Sequence, residues 1–193
     1  MEYTYDNSDE NPENPRQPPA RVRFGPGAAD EMAELWLQLL PAHESGRAAL
    51  TQAYDAALRR AFREADEYAL RLDPNDAKAH LGLALHLSAE GDVSGGIRHL
   101  MTAAKLQPSN DEPHYYLGVI FRKQGKRNEA RSAFQTAVQL NPQNHKAHAS
   151  LGFMSQEQGD LADAENRYRA ALAIRPEDPL LKSSLEEVLR ARR

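Results

Sequence analysis

The chain has 193 residues and a formal net charge of −4, with 40% hydrophobic and 27% charged residues. This composition is typical of a soluble protein, and the weak negative charge predicts neither nucleic acid nor an anionic membrane as the partner, because both attract basic surfaces. The sequence contains no cysteine, which excludes disulfides, zinc–thiolate sites and thiol nucleophiles. Because it has no long apolar run and starts with the polar, acidic MEYTYDNSDE, we expect a cytoplasmic protein without a signal peptide or membrane span.

Residues 1–27 differ in composition from the rest of the chain. Prolines recur there among Asn, Asp, Glu and Gly residues, and proline interrupts helices. Such a segment buries too little apolar surface to offset the entropy of ordering, so we expect an irregular, Pro-rich segment. Pro15 and Pro18 form a short PxxP pattern, and a Pro-rich linker explains it more simply than a recognition motif does.

Residues 28–40 are apolar enough to fold against another surface. The helical spacing i, i+3, i+4, i+7 and i+8 is present here, formed by Met32, Leu35, Trp36, Leu39 and Leu40. The alternation of Leu35, Leu37 and Leu39 fits a strand as well, and Pro41 ends the element in either case. If the segment is exposed, Met32–Leu40 could pair two copies of the chain, which makes self-association a further hypothesis.

The string YDNSDENPENPRQPPARVRFGPGAADEMAELWLQLLP resembles the carboxy-terminal edge of copper type II, ascorbate-dependent monooxygenases. In that family the methionine of the DEM sequence is a thioether copper ligand, and the matching residue here is Met32. The upstream strands that carry the family's copper-binding histidines are missing from this chain. The resemblance therefore implies a remnant of such a domain over residues 1–41, inactive as written and without a copper site. An ordinary core methionine in a short helix is the alternative for Met32.

A long helix is predicted from Glu44 to Leu72. The segment is rich in alanine, the best helix former, and has no proline and no glycine after Gly46. One apolar stripe contains Leu50, Tyr54, Leu58, Phe62, Ala65 and Ala69. Asp73–Pro74 ends the helix, because the residue before a proline avoids helical geometry. Its last residues, YALRLDPND, have the same form as the end of each repeat described next, so residues 44–74 are expected to pack on the first repeat.

From residue 77 onwards the chain repeats with a period of 34 residues, in the blocks 77–110, 111–144 and 145–178. One column of the alignment contains Gly91, Gly125 and Gly159, and another contains Pro108, Pro142 and Pro176. Small residues share the columns Gly96, Ala130, Ala164 and Ala103, Ala137, Ala171, and large ones the column Leu100, Phe134, Tyr168. Self-similarity at this period is typical of a helix–turn–helix solenoid.

These columns resemble the tetratricopeptide repeat (TPR). The resemblance implies an all-α fold, a right-handed α-solenoid of three repeats that follows the long helix. The apolar spacing and the charged outer positions of residues 179–193 predict a cap helix that closes the solenoid. Gly118 and Gly152 should let the two helices of a repeat approach closely. Gly95 and Gly96 weaken the second helix of the first repeat, where we predict local mobility.

Three histidines, His80, His114 and His148, share one column on the first helices. A metal site would require their rings to converge to about 2 Å from one ion, whereas packed helices lie about 8–10 Å apart. We therefore interpret these rings as packing groups and predict no metal and no cofactor. The sequence contains no GxSxG, no Gly-rich phosphate loop and no HExxH, so no catalytic residue is assigned.

The remaining candidate site is the concave groove, which the first helices line in TPR proteins. Transferring the family's exposed positions predicts ten groove residues: Lys78, Leu81, Leu85, Tyr115, Val119, Arg122, Lys123, Lys146, Phe153 and Gln156. Ser88, Glu112, Ala149 and Glu157 occupy further positions of the same kind. TPR clamps for chaperone carboxy-termini carry a Lys, Asn and Arg set where this chain is apolar. The prediction is a non-catalytic module that binds an amphipathic helix, or an extended apolar segment with an acidic flank.

Overall fold

The computed structural model describes residues 44–193, apart from the side chains of residues 44–50 and Ala53. The predictions for residues 1–41, including Met32 as a vestigial copper ligand and self-association through Met32–Leu40, lie outside these residues and stay predictions. The chain divides into two units, residues 1–58 and 59–193. Of the first unit, only the start of one helix belongs to the described residues.

The described residues form helices joined by short turns, with no strand among them. In chain order the helices are α1 (Glu44–Leu72), α2 (Ala77–Glu90), α3 (Val93–Leu106), α4 (Glu112–Lys123), α5 (Arg127–Leu140), α6 (His145–Glu157), α7 (Leu161–Ile174) and α8 (Pro179–Ala191). This order confirms the predicted all-α solenoid class. No helix within residues 44–193 is long and apolar enough to cross a membrane.

Side chains and glycines define the ends of the repeat helices. Asp76 caps α2 by accepting hydrogen bonds from the backbone N–H groups of Lys78 and Ala79, and Asp178 caps α8 in the same way. Between the helices of each repeat the chain turns at Gly91, Gly125 and Gly159, with φ angles of 96°, 74° and 79°. Only glycine adopts this left-handed geometry without strain, which explains the glycine column of the sequence.

Close approach within a repeat depends on paired small and large residues. A Cβ atom at Gly118 would lie 2.6 Å from the Phe134 ring, and one at Gly152 would lie 3.1 Å from Tyr168. In the first repeat Ala84 and Leu100 occupy the same two columns, and both are fully buried. In the first repeat, alanine replaces glycine on the first helix, and leucine replaces the larger aromatic residue on the second helix.

Gly95 and Gly96 do not interrupt α3, which runs through both of them. A Cβ atom at Gly95 would lie 2.2 Å from the Asp92 carboxylate, and one at Gly96 would lie 2.1 Å from the Ser88 hydroxyl. Both glycines are buried, so they make room for polar side chains at the turn. The mobility predicted for this segment stays a prediction.

The second half of α1 contacts α2 through polar side chains. The Asp66 carboxylate lies against Gly82 and is 3.6 Å from Nε2 of His86, and Arg63 forms a 2.6 Å ion pair with Glu90. Arg131, two repeats later in the same column, hydrogen-bonds Gln158 at 2.7 Å. Arg63 thus reaches α2 from the same column of the repeat as Arg131 reaches the end of α6, and the packing of residues 44–74 on the first repeat stays a prediction.

Helix α8 packs on α7 through apolar and charged contacts. Leu181 and Val188 are buried in one cluster with Tyr168 and Ala171 of α7. The Glu165 carboxylate, only 6% exposed, forms ion pairs with Arg169 of its own helix and Arg192 just beyond α8. A buried carboxylate needs such partners, because desolvation of an unpaired charge is costly.

Candidate protein-binding groove

The ten predicted groove residues lie on the first helices α2, α4 and α6. Lys78, Lys146, Arg122 and Lys123 are exposed; Leu85 and Phe153 keep 36% and 42% of their surface accessible. The other four are half-buried: Leu81, Tyr115, Val119 and Gln156. Large apolar residues with this much exposure on a packed helix are candidates for contact with a partner.

A cavity of about 380 Å³ lies between α2 and α4 and reaches the start of α3. Its apolar wall includes Leu85, Val93, Val119 and Ile120, and Lys123 and Gln124 contribute polar groups. The cavity brings Leu85, Val119 and Lys123 together, three of the ten predicted residues. Its size is within the range of sites for small ligands or a few side chains.

Sequence reasoning missed several residues of this cavity. Tyr116 and Ile120 follow predicted groove positions by one residue, and Val93 lies at the start of a second helix. The transferred positions describe the exposed face of each first helix, whereas the cavity lies between two helices. The apolar residue directly after the turn of the first repeat, Val93, was the available signal, and the second repeat has Arg127 in this column.

Arg122 and Phe153 connect the second and third repeats across the groove. The Arg122 guanidinium carbon lies 5.1 Å from the centre of the Phe153 ring, a distance typical of a cation–π contact. The ring remains 42% exposed, so it still offers apolar surface next to an exposed positive charge. An apolar side chain with an acidic neighbour would fit this combination.

Two predicted groove residues take part in the core as well. The Tyr115 ring lies 5.8 Å from that of Phe134 and 5.1 Å from that of Tyr116, centre to centre. Burial raises the pKa of the Tyr115 hydroxyl, so that hydroxyl stays neutral at physiological pH. Gln156 accepts a 3.1 Å hydrogen bond from the Tyr168 hydroxyl. Substitution of either residue would therefore disturb packing along with any binding.

Lys78, Leu81 and Lys146 lie away from the cavity. Leu81 packs against the buried cluster around Ala84 and Leu100. Lys78 and Lys146 lie in the first turns of α2 and α6 and are exposed. The cavity does not gather these three residues, and a role for them in binding stays a prediction.

The histidine column makes contacts with the preceding turns. Nε2–H of His80 donates to the Pro74 carbonyl oxygen at 3.1 Å, and Nε2–H of His148 donates to that of Pro142 at 3.2 Å. Nδ1 of His80 also lies 2.7 Å from Nδ1 of His99. Within the part of the chain that the structure describes, no group of three or more His, Asp or Glu residues could hold a metal ion.

The fold defines a helical repeat protein. Two family models, both described as tetratricopeptide repeat, match residues 81–145 and 121–188. Residues 81–188 therefore carry tetratricopeptide repeats. No curated protein matches the chain.

Solved structures with the same fold include two crystal structures of MamA and two TPR domains. The first MamA structure has a TM-score of 0.60 and 21% identity, with 74% of this chain and 78% of that chain covered. The first TPR domain of Spaghetti (RPAP3), bound to the HSP90 peptide SRMEEVD, has a TM-score of 0.56 and 19% identity over 60% of this chain and 94% of that one. The Arabidopsis OM64 TPR domain has a TM-score of 0.55 and 15% identity over 60% and 95%. At these identities the likeness supports the fold alone.

Proposed function

We propose that the chain is a non-catalytic interaction module that binds a segment of another protein in the groove formed by α2, α4 and α6. TPR modules generally mediate protein–protein interaction. The observation that carries the proposal is the cavity of about 380 Å³ between α2 and α4, which combines Leu85 and Val119 with Lys123. Phe153 extends the apolar surface onto the third repeat.

The chemistry of the groove indicates what this segment contains. Apolar walls at Leu85, Val93 and Val119 favour an aliphatic or aromatic side chain that loses water on binding. Exposed Arg122 and Lys123 at the end of α4 favour a carboxylate beside that side chain. The proposed ligand is an amphipathic helix or an extended segment with an acidic flank.

The ligand differs from that of the charged chaperone clamps. In the Spaghetti structure the bound peptide is SRMEEVD. Leu81, Leu85, Tyr115, Val119, Ala149 and Phe153 stand here in the places where such clamps present their Lys, Asn and Arg set. A free carboxy-terminus is therefore not required of the proposed ligand.

A peptide library displayed on phage tests this proposal with the full chain as bait. Selected peptides should combine apolar residues with a neighbouring Asp or Glu and should lose binding to Leu85→Glu and Lys123→Glu. The matched control is Leu180→Glu, because Leu180 is 77% exposed on α8, outside the groove. Selection of peptides that bind Leu85→Glu as well as the unmodified chain, or of none above background, would overturn the groove assignment.

A further inference from the structure

One pair of columns is filled differently in each of the three repeats. On the first helices the column holds His80, His114 and His148; opposite it on the second helices stand His99, Ala133 and Arg167. In the first repeat the His99 ring fills the space beside His80. The ring centres are 5.0 Å apart, and the two Nδ1 atoms are 2.7 Å apart. Since Nε2–H of His80 donates to Pro74, its Nδ1 accepts from Nδ1–H of His99 when both rings are neutral.

The second repeat leaves this space open because Ala133 has no ring to fill it. A shallow cleft of about 480 Å³, wide open to solvent, lies here between α4 and α5. Its apolar lining comes from Leu117, Phe121 and Ala133, and its polar groups come from His114, Asn128, Glu129, Ser132 and Thr136, of which Glu129 is the carboxylate. Among the described residues, His114 has no counterpart of the hydrogen bond that His80 makes to His99.

In the third repeat the opposite column holds a charged side chain. Nε of Arg167 donates to Asp163 of the same helix at 3.3 Å. The same pair of columns is thus occupied by an internal ring in the first repeat and by an arginine in the third. The second repeat combines the shared histidine with an open space and is the one suited to a ligand.

We infer that the cleft between α4 and α5 binds the histidine side chain of a partner protein, which takes the place that His99 occupies in the first repeat. The first repeat itself shows that an imidazole fits beside the histidine of this column. Burial lowers the pKa of His114 below its ordinary value of 6.5, so the ring is neutral at pH 7 and can both donate and accept. His114 and Phe121 lie on a different face of α4 from Val119 and Lys123, so the site is independent of the proposed groove.

Amide NMR spectra of the full chain, titrated with N-acetyl-histidine amide at pH 7.5, test the inference. Millimolar concentrations of this probe are used, because a ligand this small makes few contacts and binds weakly. Saturable shifts are expected at His114, Ser132 and Ala133. N-acetyl-alanine amide is the matched probe and should leave these signals unchanged. Equal shifts with both probes, or shifts spread evenly over the surface, would overturn the site.

Two variants locate the probe. Ala133→His should fill the cleft from within, as in the first repeat, and should abolish the shifts. If this variant fails to fold, Thr136→Arg at the edge of the cleft serves the same purpose. Thr102→Arg is its control, because Thr102 occupies the same column in the first repeat and makes the same hydrogen bond to the carbonyl four residues earlier.

If the site is correct, the probe-induced shifts disappear in Thr136→Arg and remain in Thr102→Arg. Unchanged shifts in Thr136→Arg, or equal losses in both variants, would refute it. A second copy of the chain is the other candidate occupant. If the same signals move with protein concentration alone, the cleft binds another copy, and the inference of a foreign partner is wrong.

Discussion

The Phe134 ring occupies the space that a Cβ atom at Gly118 would need, at a distance of 2.6 Å. Phe134 is fully buried and cannot move aside. In the first repeat the same columns contain Ala84 and Leu100. A smaller residue on the first helix is therefore compensated by a larger one on the second helix. This volume exchange can be tested by introducing the residue pair of the first repeat into the second.

Gly118→Ala should lower the free energy of unfolding by about 1–2 kcal/mol, because overpacking of the core outweighs the gain in helix propensity. The double variant Gly118→Ala/Phe134→Leu reproduces the first repeat's pair and should recover most of this loss. Urea unfolding measures both. A double variant no more stable than Gly118→Ala would contradict the volume exchange. Gly82→Ala is the control, since its neighbour is the half-exposed Asp66 carboxylate, which can rotate away.

Tyr115→Ala and Phe153→Ala should separate packing from binding. Tyr115 is half-buried against Phe134, so its loss should cost about 2–3 kcal/mol of stability. Phe153 is 42% exposed, so the loss of its ring should lower the stability by about 1 kcal/mol or less. Thermal unfolding gives both values. Phe153→Ala is then the variant to use in binding assays, unless its melting temperature falls as far as that of Tyr115→Ala.

Arg192→Ala should weaken the attachment of α8. It removes one of two cationic partners of the buried Glu165, with an expected loss of about 1–2 kcal/mol. Arg190→Ala, two residues away, removes an exposed pair with Glu186 and should change stability by about 0.5 kcal/mol or less. Chemical denaturation measures the free energy of unfolding of both variants. Equal losses would show that the ion pair of Arg192 with Glu165 adds no more stability than an exposed pair.

The His80–His99 pair should make stability depend on pH. Burial, followed by the charge of His80, lowers the pKa of His99 below 6.5. Because the unfolded chain then binds more protons than the folded one, the free energy of unfolding falls as the pH drops from above 6.5 towards the lower folded pKa.

His99→Phe keeps a ring but removes the titration, so its stability should fall less between pH 7.5 and pH 5.5. Lowered pKa values of His114 and His145 leave part of the dependence in the variant. Urea unfolding of both proteins at the two pH values is the measurement. If the free energy of unfolding falls equally in both proteins between the two pH values, the His80–His99 pair is not the cause of the pH dependence.

The period of 34 residues predicted three repeats of two helices, which α2 to α7 form. Helix α1, predicted from its alanine content and from Asp73–Pro74, has the expected bounds Glu44–Leu72. Glycine marks each turn because only glycine takes the positive φ there. One column contains Leu100, Phe134 and Tyr168, and all three are buried, because residues in the same column of a repeat have the same environment.

Features that differ between repeats were not predictable from the period. The His80–His99 contact depends on the residue opposite, which is Ala133 in the second repeat and Arg167 in the third. The cavity beside Val93 and Tyr116 depends on the distance between neighbouring helices, which no single helix pattern contains. The 34-residue pattern did not indicate that Asp66 and His86 place polar side chains between α1 and α2, because the same columns contain apolar residues in later repeats.

The recurrence of one contact in two places bears on how such a chain can grow. Arg63 reaches Glu90, and Arg131, in the same column, reaches Gln158. Gln124 stands in the column of Gln158. A tandem duplication of residues 111–144 would therefore present Arg131 with a second copy of Gln124, a residue type it already pairs with. This junction is compatible with lengthening by gene duplication in units of one repeat.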